Sequence, residues 1–210
     1  MAQHKELSRL DRYMTALPPE IPAVRRALLD RLAEYILQKH QANQVARLVF
    51  ICTHNSRRSH FAQVWAQVTV HQLRISRVEC YSGGTEATAC NPRTVAALER
   101  AGLTVLNGEQ AGSDNPNPVY QLAFADDAPP VWAFSKVYDQ PPNPISGFAA
   151  VMTCSQADAD CPFVAGAERR FTVTYEDPKL ADDTPEEAET YDARCRQIAS
   201  EMLYVFRQIA

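Results

Sequence analysis

Leu48-Val49-Phe50-Ile51-Cys52-Thr53-His54-Asn55-Ser56-Arg57-Arg58-Ser59 is the stretch on which the reading of the fold turns. Its first four residues form a continuous apolar run of the kind that makes a buried strand, and from Ser59 to Leu73 apolar residues recur at helical spacing. Cys52 to Ser59 therefore joins a strand to a helix start, with five residues between Cys52 and Arg58. A loop of that length can curl until successive backbone N–H groups point inward, and with the first helical turn they cradle a tetrahedral oxyanion. The same positive field favours the thiolate of Cys52, the candidate nucleophile. Arg58 can clamp two oxygens with its forked guanidinium, a geometry lysine lacks. Ser59 can hydrogen-bond the thiolate and start the helix, and Asn55 can fix an unusual turn conformation. Thr53, His54, Ser56 and Arg57 complete the oxyanion-binding loop, with the side chains of His54 and Arg57 expected to face outward.

Downstream of that helix, Val78 to Ser82 reads as a second strand, and Pro92 to Ala101 as a helix opening with proline at its first position. Phe148 to Thr153 reads as a further buried strand, Arg170 to Tyr175 as another, and about Pro185 to Gln208 as a long helix. The alternation β-α-β-α-β predicts a mostly parallel sheet. Between about 107 and 147 the sequence turns irregular and proline-rich around two aromatic-containing runs, Val119 to Phe124 and Val131 to Val137. An inserted loop or hairpin turning at Asp126 to Pro130 is expected there. Ahead of the first strand, Leu7, Leu10, Met14 and Leu17, then Val24, Leu28, Leu32 and Ile36, recur at helical spacing on either side of Pro18, Pro19 and Pro22. Residues 1–45 are thus expected to be a two-piece helical extension lying on the core, and 46–210 the catalytic domain.

A chain of 210 residues with 46% hydrophobic content can bury a sizeable core. The formal net charge of −4, without a dense Lys/Arg run, offers no electrostatic footprint for nucleic acid or an anionic membrane, so an anionic ligand needs a local site. No stretch approaches the roughly 20 apolar residues of a membrane span, and a cytoplasmic protein is expected. Six cysteines are too few for a disulfide scaffold at this length, which makes their positions matter more than their number.

The segment Val49 to Ala66 resembles the signature of the low-molecular-weight protein tyrosine phosphatase superfamily, which includes the thioredoxin-coupled arsenate reductases. The resemblance runs from Arg47 to about Asn107 and resumes at Phe148, leaving the extension and the insertion as departures. It implies a four-stranded parallel sheet with flanking helices and attack by Cys52 on a tetrahedral oxyanion, either arsenate or a phosphomonoester. Ser82-Gly83-Gly84-Thr85-Glu86-Ala87-Thr88, with Asn91-Pro92-Arg93, is closer to the reductase branch. So is Thr153-Cys154-Ser155-Gln156-Ala157-Asp158-Ala159-Asp160-Cys161-Pro162, which resembles the reductases' redox segment, although Gln156 replaces an acidic residue common there.

In that reading Cys154 attacks Cys52 to form a disulfide, and Cys161 carries it, through a flexible segment, to a surface where thioredoxin reaches it. Tyr175-Glu176-Asp177-Pro178 resembles the acid loop of both branches, with Asp177 as proton donor and Pro178 stiffening the turn. The expected function is arsenate reduction without an organic or metal cofactor. The alternatives are phosphotyrosine or phosphomonoester hydrolysis, in which water resolves the adduct, and a non-catalytic oxyanion-binding or redox-sensing module. Cys80, Cys90 and Cys195 are expected to be buried small residues.

Overall fold

The computed structural model describes residues 8–107 and 115–210. Leu7 and the part of the insertion from 108 to 114 lie outside the described residues. Four strands, β1 (Ala46–Cys52), β2 (Val78–Gly84), β6 (Phe148–Met152) and β7 (Ala167–Thr172), form a parallel sheet in the order β2-β1-β6-β7. The central strands β1 and β6 are buried on both faces, which is why their sequences are continuous apolar runs and not alternating ones.

Alternation returns when the two faces are separated. Leu48, Phe50, Ala149 and Val151 enter the main core under the helices α3 (Arg58–Gln72) and α6 (Glu187–Arg207), which pack against each other. Val49, Cys52, Phe148, Ala150 and Met152 face a smaller cluster capped by the short helix α5 (Ser155–Asp160) and Val164. The nucleophile candidate thus ends the central strand on the α5 side.

The extension forms α1 (Arg9–Thr15) and α2 (Ala23–Gln41), separated at the prolines, and its apolar stripe joins the main core. Leu10, Met14, Leu17, Leu32 and Ile36 are buried as expected, but Val24 is 84% exposed and Leu29 is fully buried. Val24 stands in the first turn of α2, ahead of the stripe that meets the core. Tyr13 stacks on Trp65 of α3 with ring centres 5.2 Å apart. Arg25 grips Glu201 through two hydrogen bonds of 2.9 and 2.7 Å and lies over the Tyr175 ring.

Helix α4 (Pro92–Ala101) begins with Asn91 as its cap and ends at left-handed Gly102. The insertion contains the expected hairpin, β4 (Tyr120–Ala123) paired antiparallel with β5 (Val131–Ala133), and β3 (Thr104–Val105) adds a third strand. The expected strand Arg170 to Tyr175 starts three residues earlier, at Ala167, because its register follows β6, which ends at Met152. Extended backbone continues past it, with the Val173 and Tyr175 amides donating to the carbonyls of Met152 and Thr153.

Candidate active site

Every carbonyl of the loop from Cys52 to Arg57 is occupied by a donor. Thr85 N–H donates to the Cys52 carbonyl and Glu86 N–H to Thr53; Asn91 N–H donates to Ser56 and Phe61 N–H to Arg57. The Ser135 hydroxyl donates to His54 at 2.7 Å, and His60 Nε2 to Asn55 at 2.8 Å. A trans peptide holds its N–H antiparallel to its C=O, so fixing these carbonyls outward turns the following amides, Thr53 to Arg58, toward the loop's interior. That is the arrangement an oxyanion needs. Gly84 makes the close approach of the Thr85 and Glu86 segment possible: a Cβ there would fall 2.2 Å from the Glu86 carbonyl and 2.8 Å from the Asn55 nitrogen.

Cys52 is 3% exposed, and its Sγ lies 3.2 Å from Ser59 Oγ. Asn55 Nδ2 donates to that same Ser59 oxygen at 2.8 Å, which leaves the Ser59 hydroxyl proton free to donate to the sulfur. Asn55 occupies left-handed backbone, with φ 44°, a conformation asparagine tolerates better than most residues. One expectation about Ser59 fails: α3 begins at Arg58 with Arg57 at the cap position, and Ser59 is committed to sulfur and Asn55 instead of capping the helix.

Arg58 reaches across to the loop that follows β7. Its Nη2 donates to Asp177 at 2.5 Å and its Nη1 to the Tyr175 carbonyl at 3.0 Å, while its Nε is buried with no partner among the described residues. Asp177 caps the 3₁₀ turn Pro178–Ala181, accepting from Lys179 N–H. His54 faces outward as expected, half exposed beside Glu86. Arg57 also points away from the loop's interior, but into the protein: its Nε donates to the Tyr191 hydroxyl at 2.6 Å and its Nη2 to Asp182 at 3.0 Å.

The underside of the loop is built by residues the sequence reading passed over. His60 is fully buried; since a carbonyl can only accept, Nε2 carries the proton given to Asn55, and Nδ1 accepts from Ser82 Oγ at 3.3 Å. Burial first, and then the charge of Lys136, push its pKa down to about 3. Lys136 is itself buried, with Nζ near the Phe134 carbonyl and Ser82 Oγ, and burial lowers its pKa to about 8. Its backbone N–H donates to Asn55 Oδ1 at 3.0 Å, and Val137 pairs parallel with Gly84 at the sheet edge. The insertion therefore braces the cradle from behind. No local motif announces Ser135 or Lys136; only a buried lysine in an otherwise apolar and proline-rich tract hints at them.

Cys154 is 1% exposed and caps α5, its Sγ accepting from Ala157 N–H. The Thr53 hydroxyl lies 3.4 Å from the same sulfur, and Cys52, Cys154 and partly exposed Cys161 share the smaller apolar cluster. The expected flexible segment between Cys154 and Cys161 is a helix. Asp158 in its first turn is held by Arg170, which also binds the Cys161 carbonyl at 3.1 Å. Cys90 and Cys195 are buried, each with a thiol pushed up to about 12 by burial, whereas Cys80 is only partly covered. Among the described residues, no helix is long and apolar enough to cross a membrane.

Residues 47–116 match the family described as low molecular weight phosphotyrosine protein phosphatase. Arsenate reductase 2 of Staphylococcus epidermidis is 26% identical over 132 residues, 62% of this chain and 77% of that protein. The arsenate reductase of Staphylococcus aureus strain Newman matches with the same identity and coverage. A solved mutant of YwlE from Bacillus subtilis superposes with a TM-score of 0.51 at 14% identity, over 78% of this chain and 98% of that one, which speaks for the fold alone. The family match spans one third of the chain, and the four-stranded parallel sheet and the cradle at the end of its central strand agree with it. The Staphylococcus epidermidis and Staphylococcus aureus sequence relatives are both arsenate reductases.

Proposed function

We propose that this protein reduces arsenate, with Cys52 as nucleophile, Arg58 and the amides of Thr53 to Ser59 as oxyanion ligands, and Cys154 and Cys161 as the redox relay. The observation that carries this reading is the place of Cys154: buried, in one apolar cluster with Cys52, and 3.4 Å from the hydroxyl of the cradle residue Thr53. A thiol that only filled space would not need to adjoin the oxyanion loop.

In the proposed sequence, Cys52 sulfur bonds to arsenic and a hydroxyl leaves as water with a proton from Asp177. Cys154 then attacks Cys52 sulfur; the S–S bond forms and the S–As electron pair stays on arsenic, releasing arsenite. Cys161 displaces Cys52 from that disulfide, and an external dithiol of the thioredoxin kind reduces the resulting Cys154–Cys161 bridge. Two electrons pass from that dithiol to arsenic. Cys161 is partly exposed and held through Arg170, so closure on Cys154 requires α5 to unwind.

Hydrolysis of phosphomonoesters is the second reading, favoured by the same helix, because α5 as folded keeps a spacer of ordered residues between the two relay cysteines. Arsenate-dependent NADPH oxidation with thioredoxin and thioredoxin reductase, beside p-nitrophenyl phosphate hydrolysis, separates the two. Arsenate turnover that vanishes in Cys154→Ser supports reduction. Hydrolysis that survives in Cys154→Ser, with no arsenate-driven oxidation in either protein, overturns it. In the first case the setting is expected to be the cytoplasm, where such reductants are kept.

A further inference from the structure

Two consecutive arginines leave the cradle and take hold of opposite ends of one segment. Arg58 holds its start, through Asp177 and the Tyr175 carbonyl. Arg57 holds its end, through Asp182, the residue that closes the 3₁₀ turn Asp177 opens. The second grip is a closed ring: Arg57 Nε donates to Tyr191 hydroxyl at 2.6 Å, that hydroxyl donates to Asp182 Oδ1 at 2.7 Å, and Arg57 Nη2 donates to Asp182 Oδ2 at 3.0 Å. Tyr191 is fully buried on α6, and the Arg57 and Asp182 side chains are 12% and 17% exposed, so the ion pair is little screened. Arg93 of α4 reinforces the same end by binding Asp183 and Glu187.

Arg58 cannot use the same N–H groups for Asp177 and for an oxyanion. When an anion enters and Arg58 turns to it, the first grip is released while Asp177 must stay close enough to give up its proton. We infer that Arg57 is the positioning residue that keeps the Asp177 segment docked on the cradle in that state. The inference rests on the oxyanion reading of the cradle and adds to it why a second arginine stands there. The Arg57 side chain is not an oxyanion ligand, because its Nε and Nη2 are engaged on the far side, and only its backbone amide belongs to the cradle.

Hydrogen exchange of residues 177–184, with and without saturating inorganic phosphate, tests this in wild type, Arg57→Ala and Asp182→Asn. Wild type is expected to keep the segment equally protected in both conditions. Both variants are expected to keep it protected without phosphate, and to lose about tenfold in protection when phosphate is bound, the effect of losing a charge-assisted hydrogen bond. Phosphate affinity of Asp182→Asn is expected to stay within about twofold of wild type, since Asp182 lies outside the cradle and hydrogen bonds to the anion are untouched. A segment equally loose without phosphate makes Arg57 merely structural and overturns the inference, as does a segment that stays protected in both variants. A tenfold weaker phosphate affinity in Arg57→Ala overturns it by making the Arg57 side chain a ligand. Failure of wild type to bind phosphate sinks the cradle reading itself, and the inference with it, and is recognised without any variant. Asp182→Asn, which changes one carboxylate oxygen to an amide, keeps the test open should Arg57→Ala not fold.

Discussion

The ligand side of the cradle and its underside draw their residues from different distances along the chain. Cys52, Arg58 and Ser59 lie within one strand-to-helix junction, so chemistry and spacing are written together. The underside joins His60 to Ser82 of β2, and the His54 carbonyl and the Asn55 side chain to Ser135 and Lys136 of the insertion, more than 70 residues away. The contrast teaches that reactive groups are set by local geometry, while the orientation of the backbone carrying them is set by long-range hydrogen bonds. Altering the ligand side should remove activity and leave the fold; altering the underside should weaken both.

The largest effect belongs to Cys52→Ser, which should lower turnover by at least about 10⁴-fold, since no other group supplies the nucleophile. Its melting temperature should stay close to that of wild type, and a large drop would blur the division between the two sides. Asp177→Asn should cost about 10² to 10³ in kcat, as loss of a general acid does. Because the Asp177 carboxylate competes for Arg58, the same variant should bind inorganic phosphate more tightly, measured by calorimetry; weaker binding would mean that Asp177 helps to build the site.

Asn55→Ala crosses from one side to the other. It removes the bonds to Ser59 and to Lys136 N–H and leaves alanine at φ 44°, so a loss of about 2 to 3 kcal/mol in denaturant unfolding is expected together with weaker activity. Normal stability with lost activity would place Asn55 wholly on the ligand side.

His60 tests the underside through pH. Its folded pKa of about 3 lies below the ordinary 6.5, so between those values the unfolded chain binds the proton first. The stability contributed by keeping His60 neutral is complete above pH 6.5 and falls by about 1.4 kcal/mol per pH unit on the way down toward pH 3. Melting curves of wild type should steepen in their acid dependence below pH 6.5, and those of His60→Gln should be flatter; parallel curves would remove His60 from the account. The smallest effect is expected at the outer face of the insertion, where Trp132 is 52% exposed. Trp132→Ser should change stability by no more than about 0.5 kcal/mol, and a larger loss would extend the brace beyond Ser135 and Lys136.

Most of the parallel sheet was legible because its central strands are buried on both faces and read as unbroken apolar runs. The edge strand β7 was misplaced by three residues: its pattern is mixed, and only pairing with β6 fixes where it begins. The reach of Arg57 was half legible. Its outward direction follows from the curl of the loop, but Tyr191 and Asp182 come to it from residues 125 or more positions away. Likewise the spacing of Cys154 and Cys161 gave no sign that Cys154 would cap a helix, since that depends on where Ala157 and Arg170 settle.

The sequence by itself determined the strand-loop-helix junction, the nucleophile candidate and its arginine, because these depend on the residue order of one short loop and on the preference of backbone amides for an anion. Only the tertiary structure decided that Ser135 and Lys136 of the insertion support the cradle, that Arg58 and Arg57 hold two ends of the Asp177 segment, and that Cys154 lies beside Thr53. Those are contacts between distant segments, and their geometry is fixed by packing and by the need of buried polar groups for partners, which no local pattern encodes.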